Sequence, residues 1–452
     1  MKKMLITTFE DAVNYLYNVP RFTNKNSMED TKTFLHKLGD PDRKMRIIHV
    51  AGTNGKGSVC AYIRSILETA GYTTAVFTSP HLVDIRERFV VEGRMVDREE
   101  FLEKFLEIYE MLDWNAIESG AGYHPTFFEY LFFMGMLIFA EHKTDFCILE
   151  TGLGGRLDAT NAVTQKELAV ITRISLEHVQ YLGNTIAKIA GEKAGIMQEG
   201  TPVVYADVEP DATAVFARKA EELGILSDCV SKKEYDFLDF HNKNIDFSLH
   251  TRYYGYVRLT LQTLARYQME NAALAVRAVE VLDKGRTITK EQIADGVKAC
   301  IWQGRMEEIF PDVYVDGAHN EDGIRAFLDS VKEDGHEGVR TLLFGVVDDK
   351  DYTKMIRELI SSGLFSKIAL TPLHTTRGVP VEKLEELLNQ NKHMDKEQTV
   401  KSTEIFDGVE TALRALCFEQ QKDERIYVAG SLYLVGEVKE WSEHIKESQK
   451  HD

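Results

Sequence analysis

His49-Val50-Ala51-Gly52-Thr53-Asn54-Gly55-Lys56-Gly57-Ser58 is an apolar strand end that runs into a glycine-rich turn and then a helix. Glycines let backbone amides point inward around a phosphate. The helix N-terminus adds partial positive charge, Lys56 can reach the outer phosphates, and Ser58 can face a metal. The stretch predicts a nucleotide-phosphate cradle and an α/β sheet that presents its loops at the carboxyl ends of its strands. Its spacing is not the common Walker form, because only Thr53 and Asn54 separate Gly52 from Gly55-Lys56. The bland alternative is a tight turn with an exposed lysine. Strand, glycines, lysine and serine in order argue against it.

Outward from the cradle, short β-rich runs alternate with helical periodicity, the pattern of βαβ units and a mostly parallel sheet. Strands are expected at 46–51, 74–78, 146–150, 168–174 and 202–205, and helices at 57–70, 98–113, 126–141 and 185–196. Residues 232–261 alternate and carry several aromatics, which predicts antiparallel strands ahead of a helix at 268–283. After a helix at 290–300, a second series starts, with strands at 313–316, 341–346, 367–371 and 425–429. The domain boundary is therefore placed near residue 300, giving 1–300 and 301–452, and the charged tail after Glu437 reads as a solvated helix that frays.

The chain has 452 residues, 44% of them hydrophobic and 28% charged, with 9 prolines and 31 glycines. That describes a globular protein of two or three domains and excludes disordered and collagenous classes. The net charge of −18 disfavours nucleic acid and anionic membranes as partners, so an anionic ligand needs a local cationic site. Cys60, Cys147, Cys229, Cys300 and Cys417 are odd in number and lack CxxC spacing, which suggests neither disulfides nor zinc and fits a reducing cytoplasm. The greasiest run, 127–140, is interrupted by Glu129 and too short to span a bilayer; it reads as a buried helix.

Glu150-Thr151-Gly152-Leu153-Gly154-Gly155-Arg156-Leu157-Asp158-Ala159-Thr160-Asn161 also follows an apolar strand. Its glycines resemble a dinucleotide loop, but the third fingerprint position is Leu157, so hydride chemistry ranks low. Glu150 is better placed as a hard oxygen ligand for Mg2+. His178 after a strand is by default structural, and Lys193 beside Glu192 reads by default as a surface salt bridge. Asp316-Gly317-Ala318-His319-Asn320 ends a strand with a carboxylate, an imidazole and an amide, suited to nucleotide or substrate contacts. Its alternative is a plain strand-to-helix turn with Asn320 or Glu321 near a cap.

In this order, HVAGTNGKGS (49–58), TSPHL (78–82), RERF (86–89), TFFE (126–129), ETGLGGRLDATN (150–161), LEHVQYLG (176–183), GEKAGI (191–196), YQMENAALA (267–275), GRMEE (304–308), DGAHN (316–320) and GSLYLVGE (430–437) resemble the folylpolyglutamate synthase/dihydrofolate synthase family of the Mur ligase superfamily. Cell-wall ligases of that superfamily carry a UDP-sugar domain ahead of the loop, and the about fifty residues before Gly52 are too few for one.

The resemblance implies a P-loop ATPase domain over 1–300 with a mostly parallel sheet, a smaller antiparallel section and the folate site. It implies a C-terminal Rossmann-like glutamate ligase domain over 301–452. The implied reaction is ATP-dependent ligation of L-glutamate to the γ-carboxylate of a folate through an acyl phosphate, with dihydropteroate an open second acceptor. Carried over by motif, Gly52, Thr53, Asn54, Gly55, Lys56, Gly57, Ser58, Asn271, Arg305 and Asp316 would bind ATP. Ser79, Glu150, His178 and Lys193 would hold two Mg2+ ions, with Lys193 N-carboxylated. Lys56, Lys193 and His319 would act in catalysis, and Thr126, Phe127, Phe128, Glu129, Leu157, Asp158 and Ala159 would line the pterin pocket. A cytoplasmic monomer with small-molecule substrates is expected. Departures from the family pattern at Arg173, Ser175 and Glu321 are expected to leave the metal and phosphate residues untouched, while the loop Asn24 to Asp30 matches poorly. The rivals are a Mur-type ligase with another carboxylate acceptor, a nucleotide-dependent switch, and a dehydrogenase.

Overall fold

The computed structural model describes residues 3–19, 26–394 and 399–451, so Asn24 and Lys25 of the early loop lie outside the described residues. The chain divides into two compact units. The first holds Met1–Asp236, Ser248–Leu259 and Glu270–Cys300, and the second Phe237–Phe247, Thr260–Met269 and Ile301–Asp452.

In the first unit eight strands form one sheet: β1 (Ile47–Ala51), β2 (Thr74–Phe77), β3 (Phe89–Val91), β4 (Arg94–Met95), β5 (Phe146–Glu150), β6 (Leu168–Ile171), β7 (Val203–Asp207) and β8 (Ser227–Ser231). Their order is β4-β3-β2-β5-β1-β6-β7-β8, parallel from β2 through β8, with β3 and β4 added antiparallel at one edge. β1, β5 and β6 are buried at every residue, the continuous apolar run expected of central strands covered on both faces. Sequence periodicity anticipated the central strands but not the β3–β4 hairpin, whose strands are three and two residues long, or edge strand β8, which is mostly unburied.

The helix Phe127–His142 is apolar all round and belongs to the core beside β2 and β3, with Tyr130, Phe132, Phe133 and Met136 wholly buried. Thr126 and Glu129 start it with a capping box. Among the described residues no helix is long and apolar enough to cross a membrane.

Strands β9 (Tyr235–His241), β10 (Asn244–Thr251) and β11 (Gly255–Leu261) follow in the order β11-β10-β9. Connections of only two and three residues make them antiparallel hairpins, as the alternation at 232–261 suggested.

The second unit contains β12 (Arg305–Phe310), β13 (Val313–Asp316), β14 (Val339–Phe344), β15 (Lys367–Leu370), β16 (Ser402–Ile405) and β17 (Glu424–Ala429) in the order β12-β13-β17-β14-β15-β16. Only β12 is antiparallel. β17 returns between β13 and β14, so the strand order reverses beside the carboxyl end of β13, the usual ligand position in such sheets.

The tail corrects one expectation. The last helix begins at Leu432, and Leu434, Val435 and Val438 are wholly buried. Lys439 pairs with Glu307 at 2.7 Å and Trp441 packs edge-on against Phe310. Val438, Lys439 and Ser442 are thus buried in a tail that composition alone made solvated, while Glu440, Glu443, His444 and 446–448 are exposed as expected.

Candidate active site

β1 delivers the phosphate loop at the centre of its sheet, where Val50 stands in register with Glu150 of β5. Two glycines in the loop are obligatory. Gly52 has φ +147° and Gly55 φ +89°, and an added Cβ would sit 1.8 Å from Thr172 Oγ1 at the first and 2.2 Å from Asn271 Oδ1 at the second. Gly55 precedes the helix Lys56–Thr69, so the backbone of Gly57 and the buried Ser58 belong to that helix's first turn.

The loop is tied from the segment after β6. Thr53 N donates to Arg173 O at 2.9 Å and Thr172 Oγ1 to Asn54 O at 2.7 Å. Ser175 N donates to Thr53 Oγ1 at 3.2 Å, and Asn54 Nδ2 to Ser175 Oγ at 3.3 Å. Arg173 and Ser175 therefore do touch phosphate-loop residues, a correction to the expectation that the family departures lie clear of them. Backbone contacts leave no trace in residue identity. Glu321 stays apart, on the first turn of the helix that Asn320 caps by accepting from Gly323 N at 2.7 Å.

Lys193 is the largest revision. It is 4% exposed, and its Nζ donates to Gly52 O at 2.6 Å, while Glu192 pairs instead with Arg156 at 2.9 Å. Burial, with Lys56 nearby adding to it, pushes the Lys193 amine down to about 7. The surface salt bridge suggested by Glu192-Lys193 is thus absent: neighbouring positions on a helix point about 100° apart, so the two side chains take different directions. Lys56 Nζ itself donates to Thr53 O at 3.1 Å.

Of the expected metal ligands, the structure joins two directly: Ser79 N donates to Glu150 Oε2 at 2.9 Å, and Glu150 is buried. His178 has φ +49° before a short helix, with Nε2 4.0 Å from Glu177 Oε1. Among the described residues no three His, Cys, Asp or Glu side chains are gathered as a metal site. The Glu150 carboxylate and Ser79 are hard oxygen donors that suit Mg2+, whereas an amine at Lys193 would fit a cation only after conversion to a carboxylate.

The expected pterin wall is partly assembled. Phe127 stacks on Tyr17 at 5.8 Å and lies under the Arg88 guanidinium at 5.6 Å. Phe128 fills the space above Gly152, where a Cβ would come within 2.6 Å of its ring. Leu157 is exposed and Ala159 buried. Glu129 faces inward: its carboxylate accepts from Thr126 N (2.7 Å), Asn26 Nδ2 (2.7 Å) and Thr31 Oγ1 (3.0 Å). Asp158 is also occupied, by Leu153 N at 2.8 Å and Thr160 Oγ1 at 2.6 Å.

In the second unit Asp316 is buried and accepts from Tyr267 OH (2.6 Å), Met306 N (3.0 Å) and Ala318 N (2.9 Å). Burial raises its pKa against the pull of Arg305. Arg305 Nη1 donates to Gly304 O at 2.8 Å, and His319 Nδ1 lies 2.7 Å from Gly317 O. A carbonyl only accepts, so that nitrogen carries the proton. Asp316 thus ties the end of β13 to the start of β12, at the open end of the hairpin, as well as standing in the motif. Sequence reasoning assigned no role to His49, Thr172 or Tyr267. His49 and Tyr267 lay in quoted motifs, but Thr172 had no local signal.

Residues 50–279 match the Mur ligase middle domain, and residues 306–441 match the C-terminal domain of dihydrofolate synthetase. The dihydrofolate synthase/folylpolyglutamate synthase of Bacillus subtilis (strain 168) is 33% identical over 96% of this chain and 99% of its own length. The chain belongs to the folylpolyglutamate synthase/dihydrofolate synthase family. The folylpolyglutamate synthase of Lacticaseibacillus casei is 30% identical over 96% of this chain and 98% of its own. The structure of E. coli FolC in complex with DHPP and ADP superposes with a TM-score of 0.82 at 29% identity, covering 97% of this chain and 99% of that one. The mixed α/β architecture is therefore the family's.

Proposed function

We propose that this chain is an ATP-dependent ligase that joins L-glutamate to the γ-carboxylate of a reduced folate, releasing ADP and phosphate. The observation that carries the reading is the match along 96% of the chain to a dihydrofolate synthase/folylpolyglutamate synthase. An ordered phosphate loop with Lys56 and the neighbouring Glu150 and Lys193 supports it. The double name of that relative favours dihydropteroate as a second acceptor.

A carboxylate is a poor electrophile, so it first takes the γ-phosphoryl of ATP. The glutamate amine then attacks the acyl phosphate, and the tetrahedral intermediate expels phosphate as the amide forms. Two anions have to meet, and Lys56 with the loop amides neutralises the nucleotide phosphates. Ser79, Glu150, His178 and a carboxylated Lys193 would hold Mg2+, whose charge offsets that of the phosphates when bound. The Lys193 carbamate forms when the neutral amine adds to CO2 and releases one proton, and burial supplies that neutral amine. Asn271, Arg305 and Asp316 serve the nucleotide side, and His319 serves the glutamate side. The 126–129 and 157–159 segments hold the pterin. Residues 1–300 contribute the phosphate loop and the folate site, and 301–452 the glutamate side with Arg305 and Asp316.

Incubation with ATP, [14C]glutamate and either tetrahydrofolate or dihydropteroate tests this. Labelled folate product with stoichiometric ADP is expected from tetrahydrofolate, and none from either acceptor would refute the reading. Product from both acceptors identifies a bifunctional enzyme.

A further inference from the structure

His49 lies in the middle of β1 among Ile47, Ile48 and Val50, all wholly buried, and is itself 0% exposed. An apolar side chain would pack there at no polar cost, so a buried imidazole requires a reason. Its Nε2 lies 2.8 Å from Thr160 Oγ1. Thr160 Oγ1 in turn donates to Asp158 Oδ1 at 2.6 Å. A carboxylate only accepts and a hydroxyl has one proton, so the proton between His49 and Thr160 belongs to Nε2. His49 Nδ1 is then a bare acceptor, and it is buried with no hydrogen-bond partner. The ring is retained for one bond. Burial holds its pKa well below the ordinary histidine value, so the tautomer persists across neutral pH.

The far end of this relay is the loop between β5 and β6. Asp158 Oδ2 accepts from Leu153 N at 2.8 Å, and Oδ1 also accepts from Thr160 N at 3.1 Å, capping the turn Ala159–Ala162. The carboxylate therefore staples 153 to 160. The phosphate loop that leaves the same strand is anchored separately, by Thr172, Arg173 O, Ser175 and Lys193.

We propose that His49 is a positioning residue which, through Thr160, sets Asp158 and the 157–159 stretch in place for the folate acceptor, and so governs acceptor affinity without governing ATP affinity. The inference rests on the proposed assignment of 157–159 to the pterin pocket.

Steady-state kinetics of His49→Leu, Thr160→Val, the double variant and His49→Gln, each with a thermal midpoint, test it. His49→Leu and Thr160→Val should each raise KM for tetrahydrofolate about tenfold or more, the scale of a lost buried bond to a charged group, with KM for ATP within about twofold. The double variant should be no worse than the worse single, because both cut one relay. Glutamine carries a donor at the imidazole Nε2 distance, so His49→Gln should recover most of the acceptor affinity. A folate KM unchanged in Thr160→Val, or folate and ATP KM rising together, overturns the relay. Should His49→Leu fail to fold, Thr160→Val, which changes a single hydroxyl to methyl, carries the same test. A wild-type enzyme that ligates glutamate to no folate refutes the function and with it the relay, whereas an active wild type with unaffected variants refutes the relay alone.

Discussion

Removing Lys193 and removing CO2 should have the same consequence. An ordinary lysine with pKa 10.5 has roughly one amine in 3,000 unprotonated at pH 7. At the value of about 7 that burial imposes on Lys193, about half are unprotonated, a gain of three orders of magnitude in the species that can bind CO2. In buffer containing 13C-bicarbonate, the enzyme should show one carbamate carbon resonance that is absent from Lys193→Met. CO2-depleted enzyme should lose activity and regain it when bicarbonate returns, and Lys193→Met should lose ligase activity at least about a hundredfold with no recovery. Carbamate formation needs the neutral amine, so occupancy should rise with pH through about 7 rather than near 10. The same shift has a stability consequence in CO2-free buffer. The folded-state pKa is lowered, so between about 7 and 10.5 the unfolded chain holds a proton that the native state lacks, and wild-type stability rises with pH across that window. Two pH units at about 1.4 kcal/mol each set an upper bound, so the stability of wild type relative to Lys193→Met should increase by about 2 kcal/mol between pH 7 and 9, measured by denaturant unfolding. Full activity without CO2, or a pH-independent stability difference, would refute the reasoning.

Gly55→Ala should weaken ATP binding by more than about tenfold and lower the melting temperature, because its Cβ meets Asn271 Oδ1 at 2.2 Å and its φ of +89° disfavours a side chain; nucleotide titration and thermal unfolding check this. Glu150→Gln keeps the acceptor for Ser79 N but removes the charge, so the Mg2+ concentration for half-maximal rate should rise severalfold with the fold unchanged, read from a metal titration and circular dichroism. Lys166 is also driven down to about 7 by burial while donating to Asn161 Oδ1 and Ile196 O. In Lys166→Met the stability deficit relative to wild type should be smallest near pH 7 and grow towards pH 10, since only wild type gains stability as pH rises through that range. Glu129→Gln should cost about 1–3 kcal/mol in unfolding experiments, because a neutral amide cannot replace a buried carboxylate holding three donors.

By itself the sequence determined the central strands, the glycine-rich loop after β1 and the family, because these rest on local spacing: glycines where φ must be positive, a lysine and serine in the first helical turn, apolar runs of strand length. The tertiary structure alone decided what the charged groups in the quoted motifs are. Glu192-Lys193 reads as a surface pair until Arg156, 36 residues away, takes the glutamate and the lysine goes under the phosphate loop. Glu129 and Asp316 look like open ligand carboxylates until Asn26, Thr31 and Tyr267 arrive to occupy them. His49 looks like one polar letter in a strand until Thr160 and Asp158 complete its relay. In each case the deciding partner comes from distant sequence, and the charge state follows from desolvation, which depends on packing around the group and not on the residues beside it in the chain.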